Sequence, residues 1–128
     1  MEKSKINDFT DLTTWKVSHD LVLSIYSLSQ KFPQSERFGL SSQIQRASVS
    51  ITSNIAEGFS RHSYKEKVQF YYLAHGSLTE VKNQLILARD LGYIDSIHFE
   101  MILEKITSSQ RLLQSLIKKS KSFIVPKS

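Results

Sequence analysis

Apolar residues recur at helical spacing along most of this chain. Leu21, Ile25, Leu28 and Phe32 follow one another at steps of 4, 3 and 4, the stripe of a helix with one buried face. Thr13 or Thr14 can cap that helix, which is expected from about Trp15 to Phe32 with Pro33 as its stop. Residues 33–39 read as a connection in which Ser35 can cap the next helix. That second helix is expected from about Leu40 to Glu57, with Ile44, Ile51 and Ile55 inward and Gly58 ending it. Ser63-x-x-Glu66 has the form of a capping box and opens a third helix lasting to Leu91. Gly92 ends that helix, and Tyr93 and Ile94 supply the apolar contact typical of such a stop. Asp95 or Ser96 caps a fourth, whose Phe99, Leu103, Ile106, Leu113 and Ile117 face inward. Gly76 lies in the middle of the third helix at a cost of about 1 kcal/mol relative to Ala, which suggests close helix packing there, with a kink as the alternative.

Four amphipathic helices with short connections predict an all-α fold, an antiparallel up-down-up-down four-helix bundle. The bundle is expected over residues 12–119, between a flexible N-terminus (1–11) and a basic C-terminal tail (120–128). Four glycines and two prolines in 128 residues are too few to punctuate an all-β domain.

Composition narrows the chemistry. With no cysteine, disulfides, thiolate nucleophiles and Cys-based metal sites are excluded. The longest apolar run, Phe70 to Ala74, is far short of the roughly 20 residues of a membrane helix. No apolar stretch near Met1 has the form of a signal peptide, so a soluble cytoplasmic protein with no membrane association is expected. The net charge of +5 is unevenly placed: residues 1–103 carry eleven cations and eleven carboxylates. Residues 104–128 hold Lys105, Arg111, Lys118, Lys119, Lys121 and Lys127 against Glu104 alone.

A second, polar pattern runs through the middle helices. Gln43, Arg46, Ser50, Asn54 and Glu57 are spaced 3, 4, 4 and 3, and Ser77, Glu80 and Gln84 are spaced 3 and 4. In an antiparallel hairpin the two stripes can meet, with Arg46 near Glu80 and the amides of Gln43, Asn54 and Gln84 bonding backbone or each other. The alternatives are an ordinary solvated face or a network that sets register within the bundle or between subunits. Truncating one member of a buried charged pair there would cost about 3–5 kcal/mol.

The strings Gln43-Ile44-Gln45-Arg46-Ala47-Ser48-Val49-Ser50-Ile51 and Asn54-Ile55-Ala56-Glu57-Gly58-Phe59 closely resemble the signature of the bacterial four-helix-bundle proteins also called 23S ribosomal RNA intervening-sequence proteins. The match continues through Ala74-x-Gly76-Ser77-Leu78-x-Glu80, Gln84-Leu85 and Ala88-Arg89-Asp90-Leu91-Gly92-Tyr93, and upstream through Trp15, Leu21, Ile25-Tyr26 and Phe32-Pro33-x-x-Glu36. It spans about residues 12–117, and it departs from the family at Tyr71-Tyr72, where relatives are more aliphatic. The resemblance implies a small bundle, assembly as a homo-oligomer with a ring-shaped pentamer favoured, and an association with ribosomal RNA genes. It implies no established reaction, so the signature residues carry over as structural or interface residues.

An enzyme reading finds little support. No Glu has a His three residues later, as carboxylate-bridged di-iron bundles need, and Asp95-Ser96-Ile97-His98 is a helix start. His19, His62, His75 and His98 are scattered, and neither a His-Glu-x-x-His nor a Gly-rich phosphate loop occurs. No Arg is followed four to six residues later by His, the pattern of some helical-bundle ribonucleases. No catalytic residue, metal or cofactor is therefore expected.

Two binding roles remain. One is an RNA- or DNA-associated accessory protein contacting phosphate through Arg61, Lys65 and Lys67 around one loop and Arg111, Lys118, Lys119 and Lys121 near the C-terminus. Phe123 adds one aromatic beside the lysines, and oligomerisation would multiply the charge. The other is a homo-oligomeric scaffold for a protein partner, with Val22, Val49 and Val81 either exposed as subunit contacts or taken up by the bundle core.

Overall fold

The computed structural model describes residues 5–125. Its helices are α1 (Thr13–Ser29), α2 (Leu40–Ser60), α3 (Tyr64–Asp90) and α4 (Ser96–Ser122), with short 3₁₀ turns at Phe9–Asp11 and Gln34–Glu36. Each helix packs on its chain neighbours, α1 closes the ring against α4, and the α2–α3 contact is the most extensive. The short links of 61–63 and 91–95 force antiparallel neighbours, so the all-α bundle is the fold.

The inward stripes meet in one core. Leu21, Ile25, Ile44, Ile51, Ile55, Leu78, Leu85, Ile106 and Leu113 are fully buried. Of the three valines left between subunit contact and core, Val22 and Val81 are core residues at 8% and 0% exposure, and Val49 alone is exposed. The helical stripe at these positions is wide enough to take in its flanking valines.

Several local devices differ from expectation. No threonine side chain caps α1: Leu12 is its N-cap, while Thr14 is buried and its hydroxyl donates to the Leu112 carbonyl (3.4 Å). Ser35 does not cap α2; the Glu36 carboxylate accepts from the Leu40 amide (3.1 Å) and from the Tyr93 hydroxyl (2.8 Å). These bonds, the backbone one foremost, hold the Glu36 carboxyl below its usual value, and the Glu36 contact raises the Tyr93 phenol. Ser63 caps α3 as expected, accepting from the Glu66 amide (3.1 Å), and Asp95 caps α4, accepting from the His98 amide (2.8 Å). Gly92 takes φ +79°, and Gly92 and Tyr93 donate to the carbonyls of Arg89 and Ala88, a Schellman ending.

Neither glycine of the α2–α3 hairpin has its expected role. Gly58 does not end α2, which continues to Ser60; a Cβ there would stand 2.6 Å from Tyr71 Cε1 and 2.9 Å from Cδ1. Gly76 is exposed, and a Cβ there would meet nothing within 4 Å among the described residues, so it marks no close packing. Tyr71 fills the core beneath Gly58, its phenol pushed up to about 12 chiefly by burial, while Tyr72 faces out at 50% exposure.

The bundle boundaries also shift. Asp8 and Asn7 amides donate to the Asp11 carboxylate, ordering the turn before α1, and α4 runs three residues beyond 119. Residues 1–4 of the expected N-terminal segment and 126–128 of the expected tail, Lys127 among them, lie outside the described residues.

Candidate functional site

The two polar stripes do face each other along the α2–α3 seam, through short side chains. Ser50 Oγ lies 2.8 Å from Ser77 Oγ, and Asn54 Nδ2 donates to the Ser50 carbonyl (2.8 Å) and hydroxyl (3.1 Å). Gln84 is buried and donates to Glu80 Oε1 (3.2 Å), while its own Oε1 has no partner among the described residues. Gln43, Arg46, Ser50 and Glu80 line one shallow depression with Ala47. Arg46 and Glu80 nonetheless form no ion pair among the described residues. Both are exposed, and solvent screening removes most of the gain from immobilising two long side chains. Gln43 is exposed without a side-chain hydrogen bond among the described residues, and Glu57 pairs with Arg61 (3.3 Å) rather than across the seam. The seam is therefore a hydroxyl–amide contact with a solvated charged rim.

Leu73, Leu87 and Leu91 extend the α3 stripe to Leu73, Ser77, Glu80, Gln84, Leu87, Leu91, at steps of 4, 3, 4, 3 and 4. All three leucines are about half exposed, so apolar groups flank the polar centre. The spacing was readable in the sequence but was masked by the polar residues between.

At the end of the bundle where α2 meets α3, residues distant in sequence come together. Tyr64 at the start of α3 packs against Phe123 after α4, with centroids 4.9 Å apart and the rings tilted by 33°. Lys121 lies over the Tyr72 ring (5.9 Å) and donates to its hydroxyl (3.3 Å). Lys67 lies near the Phe59 and Tyr64 rings and donates to the Phe59 carbonyl (2.6 Å), closing the C-terminus of α2; burial lowers its pKa. Arg61 stacks over Phe70 (4.5 Å) while paired to Glu57. Lys65, Lys118 and Lys119 are exposed and make no ion pair among the described residues. Arg111 stands apart, in a depression along α4 shared with Glu100 and Glu104. Of the seven expected cations, then, six gather at one end and Arg111 does not. The exposed rings beside them, Tyr64 and Tyr72 above all, were missed because only the fold brings them to the lysines.

Among the described residues no group of three or more His, Asp or Glu side chains could hold a metal, and no helix is long and apolar enough to cross a membrane. No curated protein matches the chain. A solved structure of a protein of unknown function from the S23 ribosomal protein family of Bacteroides thetaiotaomicron is 26% identical, with a TM-score of 0.77 over 82% of this chain and 95% of that one. The family model described as 23S rRNA-intervening sequence protein matches residues 10–115, which take in the α2–α3 seam and all but the C-terminal part of α4. With the matching signature and the four-helix bundle, this chain belongs to the 23S rRNA-intervening sequence protein family.

Proposed function

We propose that this protein is a non-enzymatic, homo-oligomeric nucleic-acid accessory protein of the cytoplasm, with RNA as the expected ligand. The observation that carries the reading is the convergence of Lys65, Lys67, Lys118, Lys119 and Lys121 from two segments of the chain at one end of the bundle. A surface of that kind attracts phosphate, and a pentamer would present it five times. The family name, which refers to ribosomal RNA, points the same way. Binding of a structured RNA, measured by fluorescence anisotropy, should be detectable at about 50 mM salt and weaken steeply by about 200 mM. Absence of binding at the lower salt, or affinity indifferent to salt, overturns the reading. Lys118→Ala with Lys121→Ala should weaken binding while leaving the helical content intact.

The second reading, a homo-oligomeric scaffold for a protein partner, draws on Leu73, Leu87 and Leu91 along α3. Both readings include self-association, and the leucines are the proposed contact. Leu73→Glu with Leu87→Glu should reduce the mass seen by light scattering to that of one chain. A variant that keeps the wild-type mass would place the subunit contact elsewhere.

A further inference from the structure

The groove between α3 and α4 at the cationic end has a volume of about 450 Å³ and is lined by Tyr72, His75, Gln114, Lys118 and Lys121 over a floor of Ile117. Its charge is of one sign. Its charged lining residues are Lys118 and Lys121, and no carboxylate lines it. The rings at and beside the groove are exposed, Tyr72 and Phe123 at 50% and Tyr64 at 40%. The core does not require Tyr72, because its neighbour Tyr71 fills the buried position.

We propose that this groove is a stacking site for an unpaired stretch of nucleic acid, so that the protein takes single strands in preference to duplex. The inference rests on the nucleic-acid reading above and adds to it the state of the strand. In a duplex the faces of the bases are covered by their neighbours, and only phosphates are offered; Lys118 and Lys121 would meet them and the rings would gain nothing. A single strand gives its phosphates to the lysines and its bases to Tyr72 and the Tyr64–Phe123 pair. Stacking of this kind accepts any base, so the site should show little sequence preference.

The test uses the full chain and a labelled, unstructured 12-nucleotide RNA, alone or annealed to its complement, in anisotropy titrations at about 50 mM salt. The single strand should bind about tenfold more tightly than the duplex. Tyr72→Leu with Phe123→Leu should cost the single strand about tenfold and leave duplex binding unchanged, whereas Lys118→Ala with Lys121→Ala should weaken both. A 2-aminopurine placed in the strand should be quenched on binding to the wild type and much less by the ring variant. Equal or tighter duplex binding overturns the stacking site, as does a ring variant with unchanged single-strand affinity and quenching. In those cases salt-dependent binding would still support the nucleic-acid reading. No binding of either RNA overturns both.

Discussion

The contrasting glycines of the α2–α3 hairpin allow one substitution to be tested at two sites with opposite expected signs. Ala in place of Gly removes backbone freedom from the unfolded chain and favours helix by about 0.5–1 kcal/mol. At Gly76 nothing opposes that gain, because the added methyl would meet no atom within 4 Å. Gly76→Ala should therefore stabilise by about 0.5–1 kcal/mol. At Gly58 the methyl would stand 2.6 Å from Tyr71 Cε1, 2.9 Å from Cδ1 and 3.1 Å from Phe70 Cβ. Tyr71 is 2% exposed, so its ring can retreat only into a packed core. Overpacking costs about 1–3 kcal/mol, and at this ring the upper part of that range applies. Gly58→Ala should thus destabilise by about 1–2 kcal/mol after the helix gain is subtracted. For a domain of this size 1 kcal/mol corresponds to about 4 °C, so the two variants should melt about 6–12 °C apart, on either side of the wild type. Circular dichroism melts, with urea titrations to check that the slope is unchanged, give the answer. A stabilised Gly58→Ala would refute the close contact with Tyr71, and a destabilised Gly76→Ala would show that the middle of α3 is not open.

The α2 start should make stability depend on pH. Glu36 has its carboxyl lowered in the folded state by the Leu40 amide and the Tyr93 hydroxyl, so its contribution is fully present above the ordinary value of 4.5 and is lost as pH falls below it. Tyr93 is raised, so its contribution holds below 10 and is lost at higher pH. Denaturant midpoints measured from about pH 3 to 7 should fall less steeply on the acid side in Glu36→Gln than in the wild type; an identical slope would remove Glu36 from the account. Along the seam, Arg46→Ala should change stability by less than about 0.5 kcal/mol, because the side chain is exposed and unpaired across the seam. Ser50→Ala, which removes contacts to Ser77 and Asn54, should cost about 1 kcal/mol by urea denaturation. The reverse order would mean that charge, not the serine pair, holds the stripe.

Much of the fold was readable because its determinants are local. Helical spacing marked four elements, Ser63 and Asp95 announced two starts, and Gly92 announced one stop, each through atoms within a few residues of one another. Most of the misread devices depended on groups brought in by the fold. Glu36 displaced Ser35 as the cap, within reach of Tyr93 from 57 residues away. Thr14 turned inward to meet the carbonyl of Leu112. Gly58 was retained against the ring of Tyr71 rather than at a helix end.

The candidate sites divide in the same way. By itself the sequence determined that the chain is helical, that α2 and α3 each carry a polar stripe and that its excess charge lies near the C-terminus. Which stripe residues touch was a tertiary matter: short hydroxyls bridge α2 and α3, while the longer Arg46 and Glu80 remain in water. The meeting of Tyr64 with Phe123 and of Tyr72 with Lys121 was decided there too. The physical reason is that spacing along a helix fixes the direction of a side chain, whereas its neighbour across a bundle depends on how four helices share one core.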